Sequence, residues 1–163
     1  MKVAIIMGSD SDWPVLEPAI NMLEGFGIQT EVMVASAHRT PDKVHTFAAT
    51  ARERGVKVII AAAGAAAHLP GVVASFTTLP VIGVPINSTP LNGVDALYSI
   101  VQMPSGIPVA TMAINGAKNA AIFAAQILGI SQSDIENKLV QHRRDMAAEV
   151  EKKAVKVLAK KSV

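Results

Sequence analysis

The chain has 163 residues, 50% of them hydrophobic and 17% charged, with a formal net charge of +2. This length suits one domain, residues 1–163, with a substantial core, and the lack of cysteine excludes disulfides, a thiolate nucleophile and a thiolate metal site. No apolar run approaches the roughly 20 residues of a membrane span, so we expect no membrane association. Because Met1 leads directly into a strand pattern without the regions of a signal peptide, we expect a cytoplasmic protein.

Five apolar runs along the chain predict β-strands. They are Val3–Met7, Thr30–Val34, Lys57–Ala63, Val81–Val84 and Val109–Ala113. These runs are continuous rather than alternating, which is typical of a parallel sheet covered on both faces. Helical patterns lie between them, and strands that alternate with helices require right-handed crossovers. The sequence therefore predicts an α/β fold with an open, doubly wound parallel sheet.

The helical patterns place apolar side chains at positions that share a face. The first face carries Leu16, Ile20 and Leu23, and the second carries Val44, Phe47, Ala48 and Ala51. Pro18 lies inside the first pattern, so we expect it to kink that helix or to delay its regular start.

The loop after the first strand, Gly8–Trp13, contains groups suited to a phosphorylated ribose. Gly8 lets the backbone approach a ligand closely, Ser9 and Ser11 offer hydroxyls, and Asp12 could accept hydrogen bonds from ribose hydroxyls. The alternative is that Ser11 or Asp12 only caps the following helix. The loop fits neither the dinucleotide-binding motif nor the P-loop, and it lacks the spacing of an EF-hand.

The loop after the second strand, Ser36–Asp42, concentrates chemistry in a chain that is otherwise poor in charge. His38 could move a proton while Arg39 holds an anion. Thr40 as N-cap, Pro41 at the first helical position and Asp42 in the first turn are explained as helix-start residues. That explanation leaves His38 and Arg39 without a structural role.

The loop after the third strand, Gly64–Gly71, surrounds His68 with small residues. Such a segment leaves a tight, mostly apolar space that suits a small planar ring or trapped CO₂. A lone histidine beside alanines is more often a hydrogen-bonded core residue, so His68 has a structural reading as well. His45 and His142 are interpreted as structural or exposed, and the four histidines lack metal-ligand spacing.

These loops follow the carboxyl ends of predicted parallel strands, as does the segment Pro85–Ser88 after the fourth strand. Ligands of open parallel sheets bind beyond that edge. We therefore expect one site there, and we assign Ser36, Gly64, Ala65, Ala67 and Leu69 to it as further substrate-binding residues.

The last segment predicts a long helix, with Ser131 or Ser133 as cap and an end near Lys160. Ile135, Leu139, Met146, Val150 and Val157 recur in it at helical steps. A helix whose length exceeds the width of a small domain usually packs on something outside its own domain. We therefore predict an α/β core over residues 1–130 and an oligomerisation helix over 131–163, which packs on neighbouring subunits. The alternative is a helix folded back, or broken, on its own sheet.

The lysines and arginines of this last segment alternate with acidic residues, which indicates a solvated face rather than a nucleic-acid site.

Taken together, four motifs resemble the N5-carboxyaminoimidazole ribonucleotide mutase family of purine biosynthesis. They are Gly8–Trp13, Ser36–Asp42, Gly64–Gly71 and Leu97–Pro104. The resemblance continues through Gly106–Thr111 and from Asn119 to Leu128, so it covers nearly the whole chain before the terminal helix. Two departures stand out: Ala65 replaces a common glycine, which narrows the pocket slightly, and the segment Ile114–Lys118 looks shorter than its counterpart in the family.

The resemblance implies a three-layer, flavodoxin-like α/β/α sandwich and a homo-octamer with active sites between subunits. It implies an isomerisation in which a carboxylate moves from the exocyclic amine of aminoimidazole ribotide to ring carbon C4, without ATP, metal or organic cofactor. It places substrate binding on Ser9, Asp12 and Arg39, proton transfer on His38 and a supporting catalytic role on His68.

Three other functions remain open at this stage. The related carboxylase, which uses aminoimidazole ribotide and CO₂ directly, shares the fold and most motifs, although Ser9–Trp13 and Gln102–Pro104 look more like the mutase class. A non-catalytic nucleotide-binding module of the same fold would bind ligand without turnover. A receiver-type signalling domain is poorly matched, because Lys118 lies inside a helical pattern rather than after the last strand.

Overall fold

A computed structural model describes residues 1–161 of the chain. Its strands are β1 (Lys2–Met7), β2 (Gln29–Val34), β3 (Val56–Gly64), β4 (Val81–Ile86) and β5 (Ala110–Thr111). Its helices are α1 (Trp13–Gly25), α2 (Pro41–Ala49), α3 (Leu69–Ser75), α4 (Val94–Val101), α5 (Ala117–Gly129) and α6 (Ser133–Lys161), and a short 3-10 turn, Asp10–Asp12, precedes α1. None of the described helices is both long and apolar enough to cross a membrane.

The five strands form one parallel sheet in the order β2-β1-β3-β4-β5. The chain therefore winds outward from β1 to β2, and then reverses to build β3, β4 and β5 on the other side. All five predicted strands are present, so the parallel α/β sandwich predicted from the sequence is confirmed. The fifth strand is shorter than predicted, because only Ala110 and Thr111 pair with β4.

The helices cover both faces of the sheet and produce two separate apolar cores. On one face, α1 and α5 pack on side chains such as Ile5 and Ile60. On the other face, α2, α3 and α4 pack on side chains such as Ile6 and Ile59. The face residues predicted for the first two helical patterns are all buried. This arrangement makes a three-layer sandwich, in which alternate residues of one strand serve different cores.

Two local expectations differ from the structure. The edge strand β2 is not covered on both faces, since Val32 and Val34 are exposed on the same side of the strand. Pro18 does not delay α1, which begins at Trp13 and continues through it. Pro18 lacks the amide that would donate to the carbonyl of Pro14, so the helix passes this point with one backbone hydrogen bond fewer.

Helix α6 spans 29 residues, or about 43 Å at the usual rise. Its first turns belong to the sandwich, because Ile135 is buried, Leu139 packs beside it, and the Lys138 ammonium donates to the carbonyl of Phe26. Farther along, Val150 and Val157 are 63% and 67% exposed. The long terminal helix is confirmed, and the described residues leave the apolar side chains of its second half open to solvent.

Candidate active site

A cleft of about 330 Å³ opens at the carboxyl ends of β1, β2, β3 and β4. Every site residue predicted from the sequence lines it: Gly8, Ser9, Ser11, Asp12, Ser36, His38, Arg39, Gly64, Ala65, Ala67, His68 and Leu69. Ala37, Ala63 and Ser88 line it as well; Ala37 and Ser88 belong to segments predicted to reach this edge, but none of the three was named as a site residue. Their position directly beside strand ends was the signal that could have identified them.

The two histidines of the cleft form a direct pair. Nε2 of His38 lies 2.8 Å from Nδ1 of His68, and the rings meet edge to face with centroids 4.9 Å apart. One ring must donate and the other accept, so the two tautomers are set jointly. His68 is exposed rather than buried. It is therefore not the hydrogen-bonded core histidine that the structural alternative described. The pair can pass a proton across one hydrogen bond.

The loop that carries His38 is held by its own hydroxyls. The Ser36 amide donates to Oγ1 of Thr40 at 2.9 Å, that hydroxyl donates to the carbonyl of Ser36, and the Arg39 amide donates to Oγ of Ser36. Thr40 occupies the N-cap position of α2, but its side chain makes no capping hydrogen bond to the helix. Thr40 therefore stabilises the turn around His38 and Arg39 instead, while Pro41 and Asp42 start the helix as predicted.

The loop after β1 is organised by Ser9. Its hydroxyl oxygen accepts hydrogen bonds from the Ser11 amide and the Ser11 hydroxyl, at 3.3 and 2.9 Å, and so caps the 3-10 turn. Asp12 stands at the N-cap position of α1, as the capping alternative expected, but its side chain makes no capping hydrogen bond, and the Ser11 hydroxyl donates to Ser9. A Cβ on Gly8 would meet no protein atom within 4 Å, which leaves open space above this backbone.

Asp12 is the buried polar residue of the cleft, with 4% of its surface exposed. Burial raises the pKa of its carboxyl above the ordinary value, and the nearby Asp10 carboxylate raises it further. Hydrogen bonds from the Ser9 amide and the Ser11 hydroxyl offset part of this effect. A buried carboxylate that caps no helix costs stability, and a ligand with hydroxyl donors would lower that cost.

We expect Asp12→Asn to stabilise the folded protein near neutral pH, by about 1 kcal/mol. Because the folded-state pKa of Asp12 is raised, the ionised group destabilises folding, and this penalty appears as the pH rises above the unfolded-state pKa. The gain should therefore vanish toward pH 3 and grow toward pH 7. Urea unfolding at several pH values measures it, and a gain that is the same at every pH would contradict the burial argument.

The segment after β3 forms a small-residue wall of the cleft. Ala65 adopts a left-handed backbone conformation, with φ of 51°, which is uncommon for a residue with a Cβ. Gly64 has no room for a side chain, since a Cβ there would overlap with Oγ of Ser88. The end of β3 and the segment after β4 therefore contact each other through Gly64 and Ser88.

The other two histidines lie away from the cleft. His45 is exposed on α2 and contacts the ring of Phe76 edge to face, and His142 on α6 contacts Phe26 in the same way. Across residues 1–161, no cluster of three or more histidine or acidic side chains is arranged to hold a metal ion.

The sequence model of a known family, described as AIR carboxylase, matches residues 2–149. The N5-carboxyaminoimidazole ribonucleotide mutase of Pyrococcus horikoshii is 60% identical over 152 residues, which cover 93% of this chain and 86% of the relative. The enzyme of the same name from Thermotoga maritima is 59% identical over 153 residues, covering 94% and 90%.

The fold has a close counterpart among solved structures. The crystal structure of Treponema denticola PurE superposes with a TM-score of 0.84 at 31% identity, covering 95% of this chain and 97% of that chain. The family model matches most of the chain, and the two named relatives are 59% and 60% identical to it. The chain belongs to the AIR carboxylase family.

Proposed function

We propose that this protein is an isomerase of purine biosynthesis that converts N5-carboxyaminoimidazole ribonucleotide into 4-carboxy-5-aminoimidazole ribonucleotide. Relatives that are 55–61% identical over most of this chain bear the name of that mutase. The observation in the structure that carries the proposal is the His38–His68 pair, which lies in a cleft with one exposed guanidinium, Arg39. Proton transfer beside an anion site is what this reaction needs.

The ribose phosphate is the part of the substrate that the first two loops suit. Arg39 supplies the charge for the phosphate, and the hydroxyls of Ser9 and Ser11 supply donors beside it. The carboxylate of Asp12 accepts hydrogen bonds from the ribose hydroxyls. Gly8 and Ser36 leave the backbone accessible at the same edge. The aminoimidazole ring of the substrate then extends toward β3 and β4.

The carboxyl transfer proceeds in two balanced steps. In the first, the bond between the exocyclic nitrogen and the carboxyl carbon breaks, the nitrogen takes a proton, and CO₂ and the free amine result. In the second, ring carbon C4 attacks CO₂, as an electron-rich enamine can, and then loses its proton. His38 donates the first proton and accepts the second, so one histidine returns to its starting state.

His68 supports His38 through their 2.8 Å hydrogen bond. A partner that accepts or donates this proton fixes the tautomer of His38 and orients its ring toward the substrate. The wall of small residues formed by Gly64, Ala65, Ala67 and Leu69 keeps CO₂ beside C4. CO₂ therefore reacts at a high effective concentration rather than at its low concentration in solution. The reaction needs no electron transfer, and we propose no cofactor.

We further propose that the protein works as a homo-oligomer, an octamer in the arrangement its family resemblance implies. On α4, the side chains of Val94, Tyr98 and Val101 share one face and are 43%, 62% and 50% exposed. The second half of α6 exposes a further apolar set. Monomeric proteins rarely leave such helix faces uncovered, so we assign both to contacts between copies. We propose α6 as the oligomerisation helix and residues 1–130 as the catalytic core; residues 162 and 163 of the predicted segment 131–163 lie outside the described part of the chain.

We place the enzyme in the cytoplasm, which a chain of 163 residues without cysteine suits. We propose no nucleic-acid partner, since the sequence has one Trp and one Tyr for base stacking.

A two-substrate assay tests this function. One sample receives the N5-carboxylated ribotide, the other receives aminoimidazole ribotide with excess bicarbonate, and absorbance follows product formation. We expect fast conversion of the first and only slow carboxylation of the second. Efficient use of the second substrate would reassign the protein to direct carboxylation, and ligand binding without turnover in either sample would make it a binding module.

A further inference from the structure

Ser88 lines the cleft but has no part in the chemistry described so far. It is the second residue after β4 and lies against Gly64, where a Cβ would overlap with the Ser88 Oγ and lie 2.8 Å from the Ser88 Cβ. Within residues 1–161, the Ser88 hydroxyl makes no hydrogen bond to another protein group. A glycine at position 64 thus lets an unengaged hydroxyl project beside the wall that faces the substrate.

The segment that carries Ser88 is held in place by Asn115, which lies between β5 and α5. The Asn115 amide donates to the carbonyl of Pro85 at 2.8 Å, and its side-chain oxygen accepts from the Asn87 amide at 3.0 Å. Asn115 adopts a left-handed backbone conformation, with φ of 56°, which asparagine tolerates better than most residues. The two hydrogen bonds hold Pro85 and Asn87, which lie three residues and one residue before Ser88.

The order of the strands indicates which part of the substrate Ser88 meets. Arg39 follows β2, Ser9 and Asp12 follow β1, and Ser88 follows β4, three strand positions from β2. At the usual strand spacing this separates the two ends of the cleft by about 14 Å. A ribonucleotide whose phosphate lies near Arg39 therefore extends its base, with the carboxyl group, toward Ser88.

We propose that Ser88 is a substrate-contacting residue whose hydroxyl donates a hydrogen bond to the carboxyl group being transferred, and that Asn115 is the positioning residue that holds Ser88 over Gly64. This inference rests on the proposed mutase function. It assigns to the β4 end of the cleft the recognition of the carboxyl group, whereas the β1 and β2 loops recognise the phosphorylated ribose.

The affinity of Ser88→Ala for two ligands tests the contact. We expect this variant to bind the N5-carboxylated ribotide about tenfold more weakly, the value of one hydrogen bond to a charged group. It should bind aminoimidazole ribotide, which lacks the carboxyl group, as the wild type does. Ser75→Ala is the matched control, since the Ser75 hydroxyl donates to the carbonyl of Val72 on α3, outside the cleft. Equal affinities of wild type and Ser88→Ala for both ligands, or an equal loss for both, would overturn the contact.

Asn115 is tested by kinetics with a conservative rescue. Asn115→Gly keeps the left-handed backbone accessible but removes the acceptor for the Asn87 amide, so kcat/KM should fall by about tenfold, and we expect a fall of the same size in Ser88→Ala. Asn115→Asp retains that acceptor and should restore most of the rate. Because Asn115 acts through Ser88, the double variant should be no worse than Ser88→Ala alone.

Additive losses in the double variant, or equal defects in Asn115→Gly and Asn115→Asp, would overturn the positioning role. Wild-type protein that fails to convert the N5-carboxylated ribotide would overturn the proposed function and this inference together. An active wild type with a fully active Ser88→Ala would overturn this inference alone.

Discussion

His38→Asn should lower turnover of the N5-carboxylated ribotide by at least about 10³-fold, the upper part of the range for general acid–base catalysis. Asparagine keeps a polar side chain of similar reach but cannot accept and return a proton near neutral pH. The affinity for aminoimidazole ribotide should change little, because the phosphate and ribose contacts lie on other residues. Single-turnover kinetics together with calorimetric binding separates the two effects.

His45→Asn is the matched control for this experiment. It makes the same chemical change on an exposed face of α2, away from the cleft, and should leave both turnover and affinity at wild-type values. Since His38 is itself exposed, its replacement should shift the unfolding free energy by no more than about 0.5 kcal/mol. Retained turnover in folded His38→Asn would remove this residue from the proton-transfer role.

Tyr98→Asp should break the oligomer into smaller species and abolish activity with it. Tyr98 lies on the exposed apolar face of α4 beside Val94 and Val101. A carboxylate introduced into a face that another copy covers would lose its hydration without a partner, at a cost of several kcal/mol in each contact. Sedimentation velocity gives the mass, and the mutase assay at the same concentrations gives the activity.

Tyr98→Phe keeps the ring and should keep both the wild-type mass and the wild-type rate. The α4 face points away from its own core, so Tyr98→Asp should leave the far-ultraviolet circular dichroism of the folded chain largely unchanged. The exception is signal from the exposed end of α6, which loses its contact with another copy when the oligomer dissociates. A Tyr98→Asp protein that sediments with the wild type would contradict the assignment of this face to an interface.

The strands and the loops of the site followed from the sequence because each depends on local information. A continuous apolar run such as Lys57–Ala63 can be buried on both sides only within a covered sheet, and parallel strands bring their carboxyl ends to one edge. The residues in the loops after β1, β2 and β3 therefore had to meet, and the structure brings them to one cleft.

The features that the sequence did not predict depend on contacts between distant segments. The 2.8 Å contact of His38 with His68 joins loops that are 30 residues apart, and the anchoring of Asn87 by Asn115 joins segments that are 28 apart. A local feature was also missed: the Thr40 side chain bonds to Ser36, four residues away, rather than to the helix that it precedes. The exposure of β2 depends on its place at the edge, which composition alone does not reveal.

The sandwich separates most of the groups that fold the protein from the polar groups assigned to its chemistry, although Ala67 and Leu69 belong to a core and also line the cleft. Apolar residues fill both cores, and the loops beyond the strand ends carry the histidines, hydroxyls and guanidinium. A cell that carries a core substitution should therefore contain fewer enzyme molecules, each working at the normal rate. A substitution in the loops should leave the amount of enzyme unchanged and reduce the work of each molecule. Asp12, which is buried and also lines the cleft, is the position where abundance and rate per molecule should change in opposite directions.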